Sequence, residues 1–199
     1  MRDEIAALVS KRSGHFVFES GHHGSIWLDL ETLCLRPGRI EPLAARIAAA
    51  LAGHNIEVVC GPLVEGAFVA LMVARHLGVP FTYAQRFEGA AGAGLYSVAY
   101  RLPRSLRAHV RGKRVAIVND VINAGSAVGG AFADLQRCGA IPVAIGALLV
   151  LGEWASRFAA EKQLALEVLS VVPNELWTPS ECPLCQKGMP LVDPIETGE

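Results

Sequence analysis

The stretch from Arg114 to Ala140, RVAIVNDVINAGSAVGGAFADLQRCGA, constrains the fold of this chain more than any other. Val115 to Val118 are an unbroken apolar run rich in β-branched residues, the pattern of a strand buried on both faces of a parallel sheet. Asn119 and Asp120 are expected to end that strand. Asn123, Ala124, Gly125 and Ser126 then predict a tight turn, and from Ala127 the residues Val128, Ala131, Phe132 and Leu135 recur at helical spacing. A strand, an acid, a small-residue loop and a helix in that order aim free backbone N–H groups and the positive end of a helix dipole at one point. A phosphate is the natural occupant of such a point.

The rest of the chain extends this grammar. His15 to Leu35, broken at Ser20-Gly21 and Gly24-Ser25, predicts two short strands joined by a turn, after a short opening helix through Ile5, Leu8 and Val9 that stops near Gly14. Helices are expected over 40–51, 66–77 and 154–162, and strands over 57–60, 81–84, 143–151 and 166–172. Strands alternating with helices at this spacing imply an α/β fold with a mostly parallel central sheet flanked by helices. Ligands of such sheets bind beyond the carboxyl ends of the strands. That rule gathers Gly61 to Gly66, Arg86, Asn119 to Ala127 and the residues after Leu149 around one cleft.

A second strand-to-helix loop, Gly61-Pro62-Leu63-Val64-Glu65-Gly66, is a candidate anion site, although Glu65 calls for an intervening cation. Asp120 is the candidate for sugar hydroxyls or a hydrated Mg²⁺. No acid lies between Glu88 and Asp120, whereas Arg101, Arg104, Arg107, His109, Arg111, Lys113 and Arg114 crowd the second half of that interval. Tethered by the Gly- and Ala-rich FEGAAGAG, this segment reads as a lid whose arginine forks would grip phosphate oxygens. A solvated loop and a nucleic-acid patch are the alternatives, and the lack of aromatic interleaving argues against the patch.

Composition sets outer limits. The chain has 199 residues, 52% of them hydrophobic. Its longest apolar run, Ala140 to Gly152, is interrupted by Pro142 and Gly146 and is shorter than the roughly 20 residues a spanning helix needs. The N-terminal MRDEIAALVSKR carries acids and no small-residue cleavage site, so a cytoplasmic location and no membrane partner are expected. A formal net charge of −1 predicts no polyanionic partner in bulk. The five cysteines, an odd number, point to reduced thiols.

Cys182-Pro183-Leu184-Cys185 has the spacing of half a structural zinc site. Cys34, Cys60 and Cys138 are solitary in predicted strands or helices, so the pair reads as two thiols in a tail turn, with zinc as the alternative. The adjacent His22 and His23 point to opposite faces of an extended chain and imply neither metal binding nor catalysis. Trp27, Trp154 and Trp177 read as packing anchors.

On these motifs the chain resembles the type I phosphoribosyltransferases, most of all the orotate branch. VAIVNDVINAGSAVGGAFADLQRCGA resembles the family's phosphoribosyl-pyrophosphate motif, HFVFESGHHGSIWLDL its amino-terminal hood, and CGPLVEGAFVALMVA its pyrophosphate loop. The resemblance implies a phosphoribosyltransferase domain over 1–175 with a hood over about 14–36, followed by a tail over 176–199. It also implies transfer of a 5-phosphoribosyl group from phosphoribosyl pyrophosphate to a nucleobase, orotate being the expected one, with Mg²⁺ required and a homodimer formed. The 5′-phosphate would lie on Asn123, Ala124, Gly125, Ser126 and Ala127, with Asn119 and Arg86 beside the substrate. Pyrophosphate would lie on Leu63, Val64, Glu65 and Gly66. Asp120 would face the ribose, and Arg101 and Arg104 would act from the catalytic loop.

The chain departs from the family pattern at Asn119, where an acid is usual, at Asn123, Ala124 and Ala127 in the phosphate loop, and at Val64 and Glu65. After Val150, Leu151-Gly152 stands where the orotate enzymes carry Asp-Arg. A non-catalytic binder of phosphoribosyl pyrophosphate or nucleotides on the same fold is the alternative function, and an RNA-binding regulator a third.

Overall fold

The computed structural model describes residues 5, 9–87, 95 and 98–193. Two sheets organise them. The larger contains, in spatial order, β5 (Ala99–Arg101), β4 (Phe81–Phe87), β3 (Val58–Pro62), β6 (Arg114–Ile122), β7 (Ile141–Leu151) and β8 (Ala165–Val172). All neighbours run parallel except β5, which pairs antiparallel with the end of β4. The smaller sheet is an antiparallel ribbon of β1 (Ser10–Val17), β2 (His23–Asp29) and the two-residue β9 (Leu176–Trp177).

The central strand β6 shows why the sheet is buried on both faces. Val115 and Ile117 pack into one apolar cluster and Ala116 and Val118 into the other, as the two-residue period of a strand requires. The first cluster joins Ile117 to Val128, Phe132 and Leu135 of α3 (Ser126–Arg137) and to Ala155 and Ala159 of α4 (Trp154–Lys162). The second joins Val118 to Ile40, Leu43, Ile47 and Leu51 of α1 (Pro37–Leu51) and to Val69 and Val73 of α2 (Glu65–Leu77). Pro37 opens α1 where its missing N–H costs nothing, and Gly78 closes α2 in the left-handed region at φ +69°.

Three expectations are corrected. Strand β6 does not end at Asn119 and Asp120 but continues to Ile122, because β7 supplies a parallel partner as far as Val150. Pairing satisfies the backbone there, so both polar residues are carried inside the sheet. The opening helix cannot reach Gly14, since β1 begins at Ser10; Leu8 lies outside the described residues. The third concerns the arginine-rich segment. From Leu102 onward it is packed rather than poised as a lid. The Leu102 N–H donates to Asp134 Oδ2 at 2.7 Å, and Leu102 and Val110 are fully buried. Arg107 Nε donates to the Leu102 carbonyl, and Arg114 donates to the carbonyls of His54 and Asn55. Residues 88–94, the expected tether, lie outside the described residues.

Candidate active site

Strands β3 and β6 are neighbours, yet the helices that follow them leave in opposite directions. Helix α2 crosses one face of the sheet to reach β4, while α3 crosses the other to reach β7. This divergence opens a crevice at the carboxyl ends of the two strands, where open α/β sheets take their ligands. A cavity of about 250 Å³ occupies it. The β3–α2 loop contributes Leu63, Val64, Glu65 and Gly66, and the β6–α3 connection contributes Asn119, Asp120 and Asn123 to Ala127.

Each loop is shaped by close packing. Gly125 sits at φ +81°, a conformation that costs other residues dearly, and a Cβ there would overlap the ring of Trp154. Trp154 is held in turn by stacking on Phe158, with centroids 4.5 Å apart, and Phe158 meets Phe132 edge-on. An aromatic column on α4 and α3 thus buttresses the turn that starts α3. The first-turn N–H groups of α3 have no intrahelical acceptor and face this end of the sheet. Across the crevice, the Leu63–Val64 peptide is cis. Gly66 abuts the amide of Asn119, whose Nδ2 donates to the Val121 carbonyl at 2.8 Å.

Asp120 is the electrostatic centre of the cavity. It is 4% exposed, and its Oδ2 has no hydrogen-bond partner among the described residues. Loss of hydration pushes its carboxyl up to about 7, and the nearby Glu65 charge adds to the shift, against backbone hydrogen bonds that oppose it. Glu19 and Glu65 also line the cavity, and no lysine or arginine does so among the described residues. A buried carboxylate oxygen without a donor, in a cavity lined by other acids, suits a divalent cation or the hydroxyls of a sugar.

The hood supplies residues to which sequence reasoning gave no role in the site. Phe18, Glu19, Ser20, Trp27 and Leu30 line the cavity from above, and Tyr100 from β5. Phe18 and Trp27 stack with their rings 5° from parallel. Trp27 therefore faces the cavity as well as packing within the hood. Tyr100 donates to Glu19 at 3.2 Å, tying β5 to the hood; burial and the Glu19 charge push its phenol up. The Ser20-Gly21 turn was the one available signal, since it sends the hairpin tip toward the sheet.

Arg86, Arg101 and Arg104 do not line the cavity. Arg86 pairs with Tyr100 across the β4–β5 ladder, one residue from the lining. Arg101 lies with its guanidinium 4.0 Å from the Phe87 ring, and Arg104 is exposed in a turn of 3₁₀ helix. A second cavity, of about 620 Å³, adjoins the first at Asn123 and Ala124 and is lined by His22, Glu153, Trp154, Arg157 and residues 173–177. Asn174 Nδ2 donates to Asn123 Oδ1 at 3.0 Å between the two. Cys182 and Cys185 lie outside both cavities, beside His15 and His23. The expectation that His23 has no part in a metal-competent cluster is thereby corrected: pairing of β1 with β2 turns His23 inward onto His15, which the local sequence does not reveal.

Comparison with known proteins converges on one family. The profile described as the phosphoribosyl transferase domain matches residues 36–178. The orotate phosphoribosyltransferase of Pelotomaculum thermopropionicum is 32% identical over 197 residues, covering 97% of this chain and 96% of that protein. Among solved structures, the orotate phosphoribosyltransferase of Aeropyrum pernix superposes with a TM-score of 0.60 at 21% identity, covering 83% of this chain and 89% of that one. The adenine phosphoribosyltransferase of Thermoanaerobacter pseudethanolicus does so with a TM-score of 0.67 at 18% identity, covering 86% and 100%. The two structures share the fold with this chain.

Proposed function

The chain belongs to the phosphoribosyltransferase family, and from that premise we propose that it transfers a 5-phosphoribosyl group from phosphoribosyl pyrophosphate to orotate. A bond forms between the ribose C1 and a ring nitrogen of the base, the bond from C1 to the pyrophosphate oxygen breaks, and the base nitrogen loses its proton. The observation that carries this reading is the crevice between β3 and β6. It brings the start of α3, the β3–α2 loop and the orphaned carboxylate of Asp120 to one cavity.

The loop and first turn of α3, from Asn123 to Ala127, would hold the 5′-phosphate on backbone N–H groups. The Leu63–Gly66 loop would meet the pyrophosphate. Asp120, whose burial keeps its carboxyl from ordinary hydration, would face the ribose where positive charge develops as the leaving group departs. Asp120 and Glu65 are the residues that would hold Mg²⁺, which when bound neutralises the pyrophosphate charge. The stacked Phe18 and Trp27 of the hood offer an apolar wall for a planar base, and Arg157 in the adjoining cavity offers a cation for its carboxylate. Orotate is favoured over purines by the 32% identity to an orotate phosphoribosyltransferase along nearly the whole chain. We further propose that the protein acts as a homodimer in the cytoplasm.

The absence of basic residues from the lining, among those described, favours a second reading, a non-catalytic binder of the same ligand. One experiment decides between them. The protein is mixed with Mg²⁺, phosphoribosyl pyrophosphate and orotate, uracil, adenine or hypoxanthine in turn, and pyrophosphate is measured. Release with orotate alone is the expected result. Binding without release for any base would establish the second reading and overturn the first.

A further inference from the structure

We propose that His15, His23, Cys182 and Cys185 form a structural zinc site that fastens the tail of the chain to the hood. Each side chain offers one ligand atom, and the four atoms lie within 4.8 Å of one another. His15 Nε2 is 3.0 Å from His23 Nδ1, 3.4 Å from Cys182 Sγ and 3.7 Å from Cys185 Sγ, and Cys185 Sγ is 3.2 Å from His23 Nδ1. A tetrahedron built on Zn–N bonds of about 2.0–2.1 Å and Zn–S bonds of about 2.3 Å has edges of roughly 3.3–3.8 Å. Both edges from His15 to the two sulfurs fall in that range, and the two edges that meet at His23 Nδ1, to His15 and to Cys185, are slightly shorter.

Protonation argues in the same direction. His15 Nδ1 lies 2.8 Å from the Met189 carbonyl oxygen, which can only accept, so the ring proton sits on Nδ1. That leaves one lone pair on Nε2, and three neighbours converge on it. Hydrogen bonding satisfies a single neighbour with that pair, whereas a cation at the centre takes one lone pair from each of four ligands. The Met189 carbonyl is then the outer partner that fixes ring orientation, as ligating histidines usually have. Two sulfurs with two imidazoles select zinc among common divalent ions, and a closed set of four protein ligands marks a structural site.

The placement gives the site a purpose. His15 belongs to β1 and His23 opens β2, while Cys182 and Cys185 come from the far end of the chain at a one-turn helix, Pro183–Gln186. The tail also meets the hood at the β2–β9 pairing, at the His15 Nδ1 contact with the Met189 carbonyl and at the Val192 N–H donating to the His15 carbonyl. His15, His23 and Cys182 are each under 7% exposed, so the centre is shielded, while Cys185 stands at the rim. Between the two histidines run Phe18, Glu19 and Ser20, which line the cavity below. A metal at this point would hold the roof of the crevice in place.

The test uses the full, untagged chain. Elemental analysis after dialysis against metal-free buffer is expected to give one zinc per chain. Exchange of zinc for Co²⁺ is expected to produce the visible bands of tetrahedral cobalt with a thiolate-to-cobalt charge-transfer band in the near ultraviolet. Cys185→Ser, at the exposed rim, should fold, keep a weakened cobalt spectrum and lose zinc affinity at least tenfold. His23→Ala should do the same. Zinc well below one per chain with no tetrahedral cobalt spectrum in the wild-type protein would overturn the site, as would a Cys182–Cys185 disulfide in freshly prepared protein. A cobalt spectrum unchanged by Cys185→Ser would overturn the ligand set.

Discussion

The amide oxygen of Asn119 occupies the space that a side chain on Gly66 would need. Asn119 is fixed there because its Nδ2 donates to the Val121 carbonyl, so the two loops of the crevice meet through one short contact. Gly66→Ala is therefore expected to push Asn119 aside, break that hydrogen bond and cost about 1–3 kcal/mol of stability, measured by urea denaturation. Asn119→Gly alone should cost less. The double variant should recover much of the Gly66→Ala loss, and an additive double variant would show that the two do not interact.

Asp120 ties function to pH. Its folded-state carboxyl is raised to about 7, above the ordinary aspartate value, so the folded state binds the proton more tightly than the unfolded one. Stability from this group is accordingly full at low pH and is lost as pH rises from about 4 through 7. Asp120→Asn should remove that slope and raise the melting temperature at pH 8 by a few degrees. Ligand binding runs the other way. If the ionised carboxylate holds the cation, affinity for Mg²⁺ with phosphoribosyl pyrophosphate should fall as pH drops below about 7, up to tenfold per unit, and Asp120→Asn should abolish that dependence. Calorimetry at pH 6 and pH 8 on both proteins checks both statements.

Gly125→Ala should be worse than a loop substitution normally is. The residue meets a strained left-handed backbone and the Trp154 ring at once, and a loss of about 2–4 kcal/mol is expected. Adding Trp154→Leu should relieve the steric part and leave the backbone part. Thermal denaturation of the two variants separates these contributions.

Arg157→Ala should raise KM for orotate at least tenfold while changing that for phosphoribosyl pyrophosphate less than twofold. Steady-state kinetics with each substrate varied in turn measures this, and equal effects on both would remove Arg157 from the base side of the site.

The phosphate grammar was legible because it is local. Val115 to Val118 announce a buried strand, and Gly125 before a helical repeat announces the turn, whatever the rest of the chain does. The same holds for the Trp154–Lys162 helix, whose limits follow from its own sequence. Pairing decided the rest. Asn119 and Asp120 look like strand breakers, but β7 carries the ladder past them. The charge pattern around Arg101 and Arg104 does not reveal that Leu102, Val110 and the buried Asp134 hold their segment against α3. His15 and His23 are separated from Cys182 by most of the chain, and only the hood ribbon brings the three together.

The opposite departures of α2 and α3 from adjacent strands mean that the crevice's two loops belong to different halves of the hydrophobic interior. A substrate that spans them is a rivet between the two apolar layers that the sheet separates. Its binding free energy adds directly to the cohesion of the whole molecule, by about 2.7 kcal/mol at a hundredfold excess over Kd. The first regions to gain protection from hydrogen exchange should then be the amides of β3 and β6 beneath the rivet, ahead of the distant edge at β8.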